Sequence, residues 1–406
     1  MNESKLTKLD KTGVTVAKGF KAAGIACGIK KGKKDLAVIY SEKDAVAAGV
    51  FTLNQVQAAP VLLCKAHLEN PIRAIVVNSG NANACTGEQG SLDAYAMAAS
   101  MARALDLEAN QVMVCSTGVI GVPMPMETVN SGLEDIAGVL GHSSQAGIDA
   151  AEAILTTDTK VKLSAYRCTL PDGEFHIAGM AKGSGMICPN MATMLAFMVT
   201  DAKIERSLLQ KLFAEAADRS FNVITVDGDT STNDTAMILA NGAAEGVEVT
   251  ENSPFFESFK EALNLVCREL ALQIVEDGEG LTKLITLTIK NAADEAGARI
   301  MAKSILNSPL VKTAFYGEDA NWGRIIAALG YAGVEFDPLK VDIFIGPYQV
   351  AKNGGAVGFS EGAMKKVLQR RDISVVVNLK LGSAVVTAWG TDLSHEYINI
   401  NADYRS

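Results

Sequence analysis

Lys182-Gly-Ser-Gly-Met-Ile-Cys-Pro-Asn-Met-Ala-Thr-Met-Leu-Ala-Phe-Met-Val-Thr-Asp201 opens as a glycine-loose polar loop and turns into an apolar run at Thr193. Gly183 and Gly185 admit backbone angles that other residues avoid, and Pro189 restricts Cys188. The chain ahead of Thr193 is therefore expected in an unusual conformation. Strain there favours attack of the Thr193 hydroxyl on the carbonyl before it, through an ester that water cleaves between Ala192 and Thr193. The freed α-amino group, with an unperturbed pKa of about 7.7–8.0, can then serve as base for the hydroxyl of the same residue. From local chemistry alone, Thr193 can also be read as an ordinary strand residue after a turn.

Composition narrows the field. The chain has 406 residues, enough for two domains at the usual ~100–200 residues each. With 37 Lys and Arg against 46 Asp and Glu, its net charge of −9 offers no electrostatic footprint for nucleic acid. The opening Met1-Asn-Glu-Ser-Lys-Leu-Thr-Lys-Leu-Asp10 has neither an apolar signal core nor a transit-peptide pattern, so a cytoplasmic protein is expected. Apolar runs are broken by charge or glycine well short of the ~18 residues a membrane helix needs. Seven scattered cysteines contain no C-x-x-C pair, so neither a disulfide framework nor a zinc site is expected. The four histidines, His67, His142, His176 and His395, lack a second ligand at metal-binding spacing, and their scarcity weakens an imidazole-based mechanism.

Apolar, β-branched runs at Leu36–Tyr40, Ala74–Val77, Gln111–Val114, Thr193–Val199 and Phe221–Val226 read as strands buried on both faces. The clearest helix is expected from Ser253 as N-cap and Pro254 at the first position, with Phe255, Phe259, Leu263, Val266 and Leu270 along one core-facing stripe. Beyond Gly278-Glu-Gly280, a strand is expected over Thr282–Ile289 and a helix over Asn291–Ser304. Further strands are expected over Val341–Ile345, Ile373–Leu379 and Ala384–Ala388. A boundary near residue 281 divides a 1–280 domain from a 281–406 domain. Strands separated by helices fit an α/β layered sandwich.

Several blocks carry a wider resemblance. Gly19-Phe-Lys-Ala-Ala-Gly-Ile-Ala-Cys-Gly-Ile-Lys30, Ala48-Gly-Val-Phe-Thr-Leu-Asn54, Asn78-Ser-Gly-Asn-Ala-Asn-Ala-Cys-Thr-Gly87 and Cys115-Ser-Thr-Gly-Val-Ile-Gly121 occur in order. The Lys182–Asp201 segment, Thr225-Val-Asp-Gly-Asp-Thr-Ser-Thr-Asn-Asp234 and Asp319-Ala-Asn-Trp-Gly-Arg324 follow. Together they resemble the ArgJ family, the ornithine acetyltransferases, over essentially the whole chain. The resemblance implies an αββα sandwich of the self-processing N-terminal-nucleophile kind, with a smaller C-terminal α/β domain whose tail returns to the active site. It implies cleavage at Ala192–Thr193 into chains of residues 1–192 and 193–406, assembled as a heterotetramer of two α and two β chains. It further implies acetyl transfer from N2-acetylornithine to glutamate through an acetyl-Thr193 intermediate, with acetyl-CoA as a further donor and no metal or redox cofactor. No membrane or nucleic-acid partner is implied.

Residues can be set against that chemistry. The segment after the Gln111–Val114 strand can present a hydroxyl and a bare N–H to a cleft, and the resemblance carries the oxyanion role onto Thr117 and Gly118. Substrates with an α-carboxylate and a side-chain ammonium call for fixed charges of both signs, for which Lys182 and Glu279 are candidates. Lys182 lies eleven residues before the nucleophile; Glu279, between two glycines, would by default face solvent. The resemblance adds Thr156, Asn401 and Ser406 to the substrate-binding set, together with Thr193 itself. Two other readings stay open: a self-processing aminopeptidase or amidase of the same fold, and a magnesium-dependent phosphatase with Asp227 as nucleophile and Asp229 as acid. Against a calcium loop, Thr232 and Ile238 stand where Gly and Glu are required. Asx turns pinning a loop near the cleft also account for the Asp227–Asp234 stretch.

Overall fold

In the strand Leu36–Phe51, the side chains of Leu36 and Val38 join one buried cluster and those of Ala37 and Ile39 another. Successive strand residues point to opposite faces, so this strand is covered on both sides. The same split recurs at Ala74 and Val76 against Ile75 and Val77, and at Val112 and Val114 against Met113 and Cys115. It recurs again at Ala196 and Met198 against Leu195, Phe197 and Val199. The cluster common to both sets lies between two layers of strands, and helices close the outer faces. The result is an αββα sandwich.

The structure is a computed structural model that describes residues 5–10, 12–188 and 194–403. Among them the first strands are β1 (Lys5–Lys8), β2 (Phe20–Ile25), β3 (Leu36–Phe51), β4 (Ile72–Asn81), β5 (Val112–Val119), β6 (Lys162–Leu170), β7 (Gly173–Lys182), β8 (Leu195–Thr200) and β9 (Lys203–Ile204). Then come β10 (Ile224–Thr225), β11 (Thr235–Ala240), β12 (Glu248–Val249), β13 (Leu284–Ala292), β14 (Asp342–Ile345), β15 (Tyr348–Lys352), β16 (Gly355–Ala356), β17 (Asp372–Asn378) and β18 (Ala384–Thr391). The helices are α1 (Ala59–His67), α2 (Gly87–Leu105), α3 (Met126–Ala137), α4 (Ser144–Ala153), α5 (Arg206–Asp218), α6 (Phe256–Glu276), α7 (Glu295–Asn307), α8 (Pro309–Tyr316), α9 (Trp322–Gly330), α10 (Glu361–Leu368) and α11 (His395–Asp403).

The large sheet runs β1-β6-β7-β8-β11-β3-β4-β5, with β2 also paired to β3. Strand β3 serves both layers: Leu36–Ser41 pairs with β2, Val46–Phe51 pairs with β11, and the register shifts between Tyr40 and Ala45. Such an irregularity bends a strand and re-aims it. Helices α2 and α3 cover one outer face through Met97, Met101, Leu133 and Ile136; α5 and α6 cover the other through Phe213, Phe259 and Leu270. The second sheet runs β10-β18-β13-β17-β14-β15-β16 and forms the smaller C-terminal α/β unit, into which the central part of the chain contributes β10. Its core is continuous with the α5–α6 layer. Among the described residues no helix is long and apolar enough to cross a membrane.

Local capping shifts several expected boundaries. The Ser253 hydroxyl is spent on a turn, accepting from Thr250 N at 3.1 Å and donating to Thr250 O at 3.0 Å, so α6 begins at Phe256. The expected stripe is nevertheless buried throughout. The helix expected from Asn291 starts at Glu295, where Asp294 accepts from Gly297 N, because β13 continues to Ala292. Phe221–Val223 forms a 3-10 turn and leaves only Ile224–Thr225 as strand.

Strand β2 lies so close to α4 that a Cβ on Gly24 would stand 2.0 Å from the Asp149 carbonyl oxygen. Gly24→Ala must push strand and helix apart. It is expected to destabilise the protein by about 1–3 kcal/mol, the usual cost of overpacking, read as a lowered midpoint in urea unfolding.

Candidate acyl-transfer site

Strands β4 and β5 are parallel and joined through α2, and a cleft opens at their carboxyl ends, where α/β sheets commonly bind ligands. There Gly80 lies opposite Gly118. Gly118 has φ +133°, and a Cβ on it would come within 2.3 Å of the Gly80 carbonyl carbon. Only glycine fits there. Thr117 precedes it. Both belong to the end of β5 rather than to a turn after it, correcting the expected strand limit by several residues.

Strand β7 brings Lys182 to the same cleft. Its ammonium donates to Thr156 Oγ1 at 2.8 Å and to Thr117 Oγ1 at 3.3 Å. Burial pulls the Lys182 pKa below the ordinary lysine value, against the opposing fields of Asp158, Asp234 and Glu279. Asp158 accepts the Gly183 N–H at 2.6 Å and the Lys162 ammonium at 2.7 Å. Lys162 donates in turn to Asp277 at 2.6 Å, beyond the end of α6. Burial alone would raise the Asp158 pKa. The charges of Lys182 and Lys162 and these hydrogen bonds outweigh it and hold the carboxyl at about 2.

Glu279 is buried, not solvent-facing as its glycine flanks imply. A Cβ on Gly185 would lie 2.3 Å from Glu279 Oε2, so glycine there admits the carboxylate beside the loop. Asn401, on α11, donates to Glu279 Oε2 at 2.8 Å and brings the C-terminal helix to the rim. The two charges expected of the pocket thus share one cleft, lined by Thr117, Gly118, Thr156, Lys182, Glu279 and Asn401. Ala192, Thr193 and Ser406 lie outside the described residues. Ile187 and Met194, on either side of residues 189–193, also line the cleft.

The stretch after β10 supplies another wall, Ser231 to Asp234. Asn233 donates to Ala82 O at 2.5 Å and Ser116 O at 2.8 Å, tying this wall to the β4 and β5 ends. Asp227 binds backbone: it accepts from Met186 N at 2.6 Å, Ile187 N at 2.9 Å and Asp229 N at 3.2 Å, the Asx-turn arrangement. Among the described residues no histidine lines the cleft. Asn233 stands inside the Thr225–Asp234 block and Asp158 two residues after Thr156, and neither is marked by its own residue type as part of the cleft. Lys162 and Asp277 are 115 residues apart and leave no local signal.

A model of the ArgJ family matches residues 21–406. The chain belongs to the ArgJ family. It is 50% identical over 398 residues, 97% of this chain and 98% of the other, to the arginine biosynthesis bifunctional protein ArgJ of Caldanaerobacter subterraneus subsp. tengcongensis. The namesake of Bacillus subtilis is 46% identical over 409 residues, covering 100% of this chain and 99% of its own. A crystal structure of ornithine acetyltransferase complexed with ornithine from Mycobacterium tuberculosis is 42% identical, with a TM-score of 0.44 over 47% of this chain and 100% of that one. As an ArgJ family member the chain is an acyltransferase of arginine biosynthesis.

Acid should loosen the cleft through Asp158. Its folded pKa of about 2 lies below the unfolded value of about 3.9, so its contribution is complete above pH 4 and is lost as pH falls towards 2. The difference corresponds to about 2–3 kcal/mol. Urea unfolding at pH 7 and pH 3 should show Asp158→Asn less stable than the parent at pH 7, with a smaller fall on acidification.

Proposed function

We propose that the chain cuts itself between Ala192 and Thr193 and then transfers an acetyl group from N2-acetylornithine to glutamate through an ester on Thr193. The observation that carries this reading is the convergence of Thr117, Gly118, Thr156, Lys182, Glu279 and Asn401 on one cleft that also includes Ile187 and Met194. That its relatives are proteins of arginine biosynthesis supports an ornithine derivative as donor.

In the first step the Thr193 hydroxyl oxygen bonds to the Ala192 carbonyl carbon and the peptide C–N bond breaks, leaving an ester and a free amine. Water then attacks the ester, releasing the Ala192 carboxylate and restoring the hydroxyl. The segments of 192 and 214 residues remain one body, because β7 on one side of the cut pairs with β8 on the other and β3 pairs with β11.

In the transfer cycle the Thr193 amine takes the hydroxyl proton as the oxygen attacks the acetyl carbonyl. The Thr117 hydroxyl and the Gly118 N–H receive the developing oxyanion, a contribution of roughly 3–4 kcal/mol per donor. The protonated amine returns its proton to the leaving ornithine nitrogen. Glutamate enters the vacated pocket, its amine attacks the acetyl ester, and acetylglutamate leaves with Thr193 restored. Lys182 suits an α-carboxylate and Glu279 an ammonium group. Acetyl-CoA serves as a further donor to the same hydroxyl, and no metal or redox cofactor takes part.

Intact mass under denaturing conditions should give two fragments, residues 1–192 and 193–406, from the parent and one uncut chain from Thr193→Ala. An uncut yet active parent would sink the mechanism. Initial rates at varied acetylornithine and glutamate should give parallel double-reciprocal lines, whereas intersecting lines would count against an acetyl-enzyme. Rapid acetylornithine consumption without glutamate would favour the amidase reading.

A further inference from the structure

Residues 189–193 are bordered by two stretches of chain, and one segment holds both. Before them, the Asp227 carboxylate accepts the N–H groups of Met186 and Ile187. The Ile187 carbonyl accepts from Val226 N at 2.6 Å and from the Thr225 hydroxyl at 3.0 Å, and the Cys188 carbonyl accepts from the Thr230 hydroxyl at 3.1 Å. After them, Thr235 N donates to the Met194 carbonyl at 3.0 Å as β8 enters its parallel pairing with β11.

Asp227 is the centre of this grip. Met186 has φ +54°, a left-handed conformation that costs a non-glycine residue free energy unless its surroundings impose it. Two successive N–H groups converging on one carboxylate impose it here. The carboxylate is itself supported: the Tyr397 hydroxyl on α11 donates to Asp227 Oδ2 at 3.2 Å. Beside it, the buried Lys312 ammonium holds the Val226 carbonyl at 2.7 Å and the Thr391 carbonyl at 2.5 Å.

We propose that Asp227 is a positioning residue for the scission at Ala192–Thr193. This inference rests on the self-processing reading. Attack of a hydroxyl on the carbonyl before it is intramolecular, and its rate depends on how narrowly the reacting atoms are held. The two borders, Met186–Cys188 and Met194, are both hydrogen-bonded to residues 225–235, so the described chain on either side of the scission point is held by one segment. The carboxylate acts on backbone N–H groups of the loop, apart from the groups that handle the acetyl transfer. On this account the acids after β10 serve neither a phosphoryl group nor a cation.

The test is a time course of intact mass after a short pulse of synthesis, comparing the full-length parent with Asp227→Asn, Asp227→Ala and Thr230→Val. Asp227→Asn keeps the shape and one acceptor oxygen, so its fold should survive, which its thermal midpoint checks. Scission should slow by ten- to a hundredfold in both Asp227 variants and less in Thr230→Val, in the range that small misplacements cost. Once fully cut, Asp227→Asn protein should transfer acetyl with kcat and KM close to the parent's. A purely structural role would instead lower the thermal midpoint and leave the scission rate unchanged. Parental scission rates in both Asp227 variants, with a parent that cuts itself, overturn the positioning role and leave self-processing standing. A parent that never cuts overturns both.

Discussion

Lys182 is a cation taken out of water at the floor of a cleft, and the arrangement around it depends on keeping that charge compensated. A buried ammonium is costly unless opposing charge and hydrogen-bond acceptors surround it. Here the compensation is relayed: Lys182 feels Asp158, Asp158 is bonded to Lys162, and Lys162 to Asp277 beyond the end of α6. Thr159 adds its backbone N–H to Asp277 at 3.0 Å. One electrostatic chain thus connects the strand that delivers Lys182, the loop that delivers Thr156 and the turn that delivers Glu279.

The rest of the cleft follows from strand geometry. Parallel strands β4 and β5 end side by side, and their close approach at Gly80 and Gly118 leaves no room for a side chain. Facing them, β7, β8 and β11 terminate or begin at the same edge, bringing Lys182, Leu195 and Thr235 into neighbouring registers. Sheet pairing crosses the proposed scission point on two sides, so a broken peptide bond need not release either segment. Covalent continuity and structural continuity are separable in this fold, as the proposed scission would require.

Six residues named from the sequence, by its resemblance to the ArgJ family and by the charges a substrate would need, come together in space. Thr117, Gly118, Thr156, Lys182, Glu279 and Asn401, taken from five separated stretches, line one cleft. Local rules did less well where two side-chain demands competed: Ser253 has the chemistry of an N-cap, but its hydroxyl closes a turn with Thr250. Glu279 reads as exposed because glycines flank it, and it is buried because Gly185 makes room beside it.

The sequence by itself determined the layered α/β character, through apolar runs too short for helices and buried on both faces, and it marked the loop ahead of Thr193 through its glycines and proline. Tertiary structure alone decided which partners met: the Met186 N–H on Asp227, Lys162 between Asp158 and Asp277, and Asn401 on Glu279 across 122 residues. The reason is physical: propensity and periodicity act over a few residues along the chain. Burial of charge is compensated through space, by whichever groups the packed sheets bring within hydrogen-bond reach.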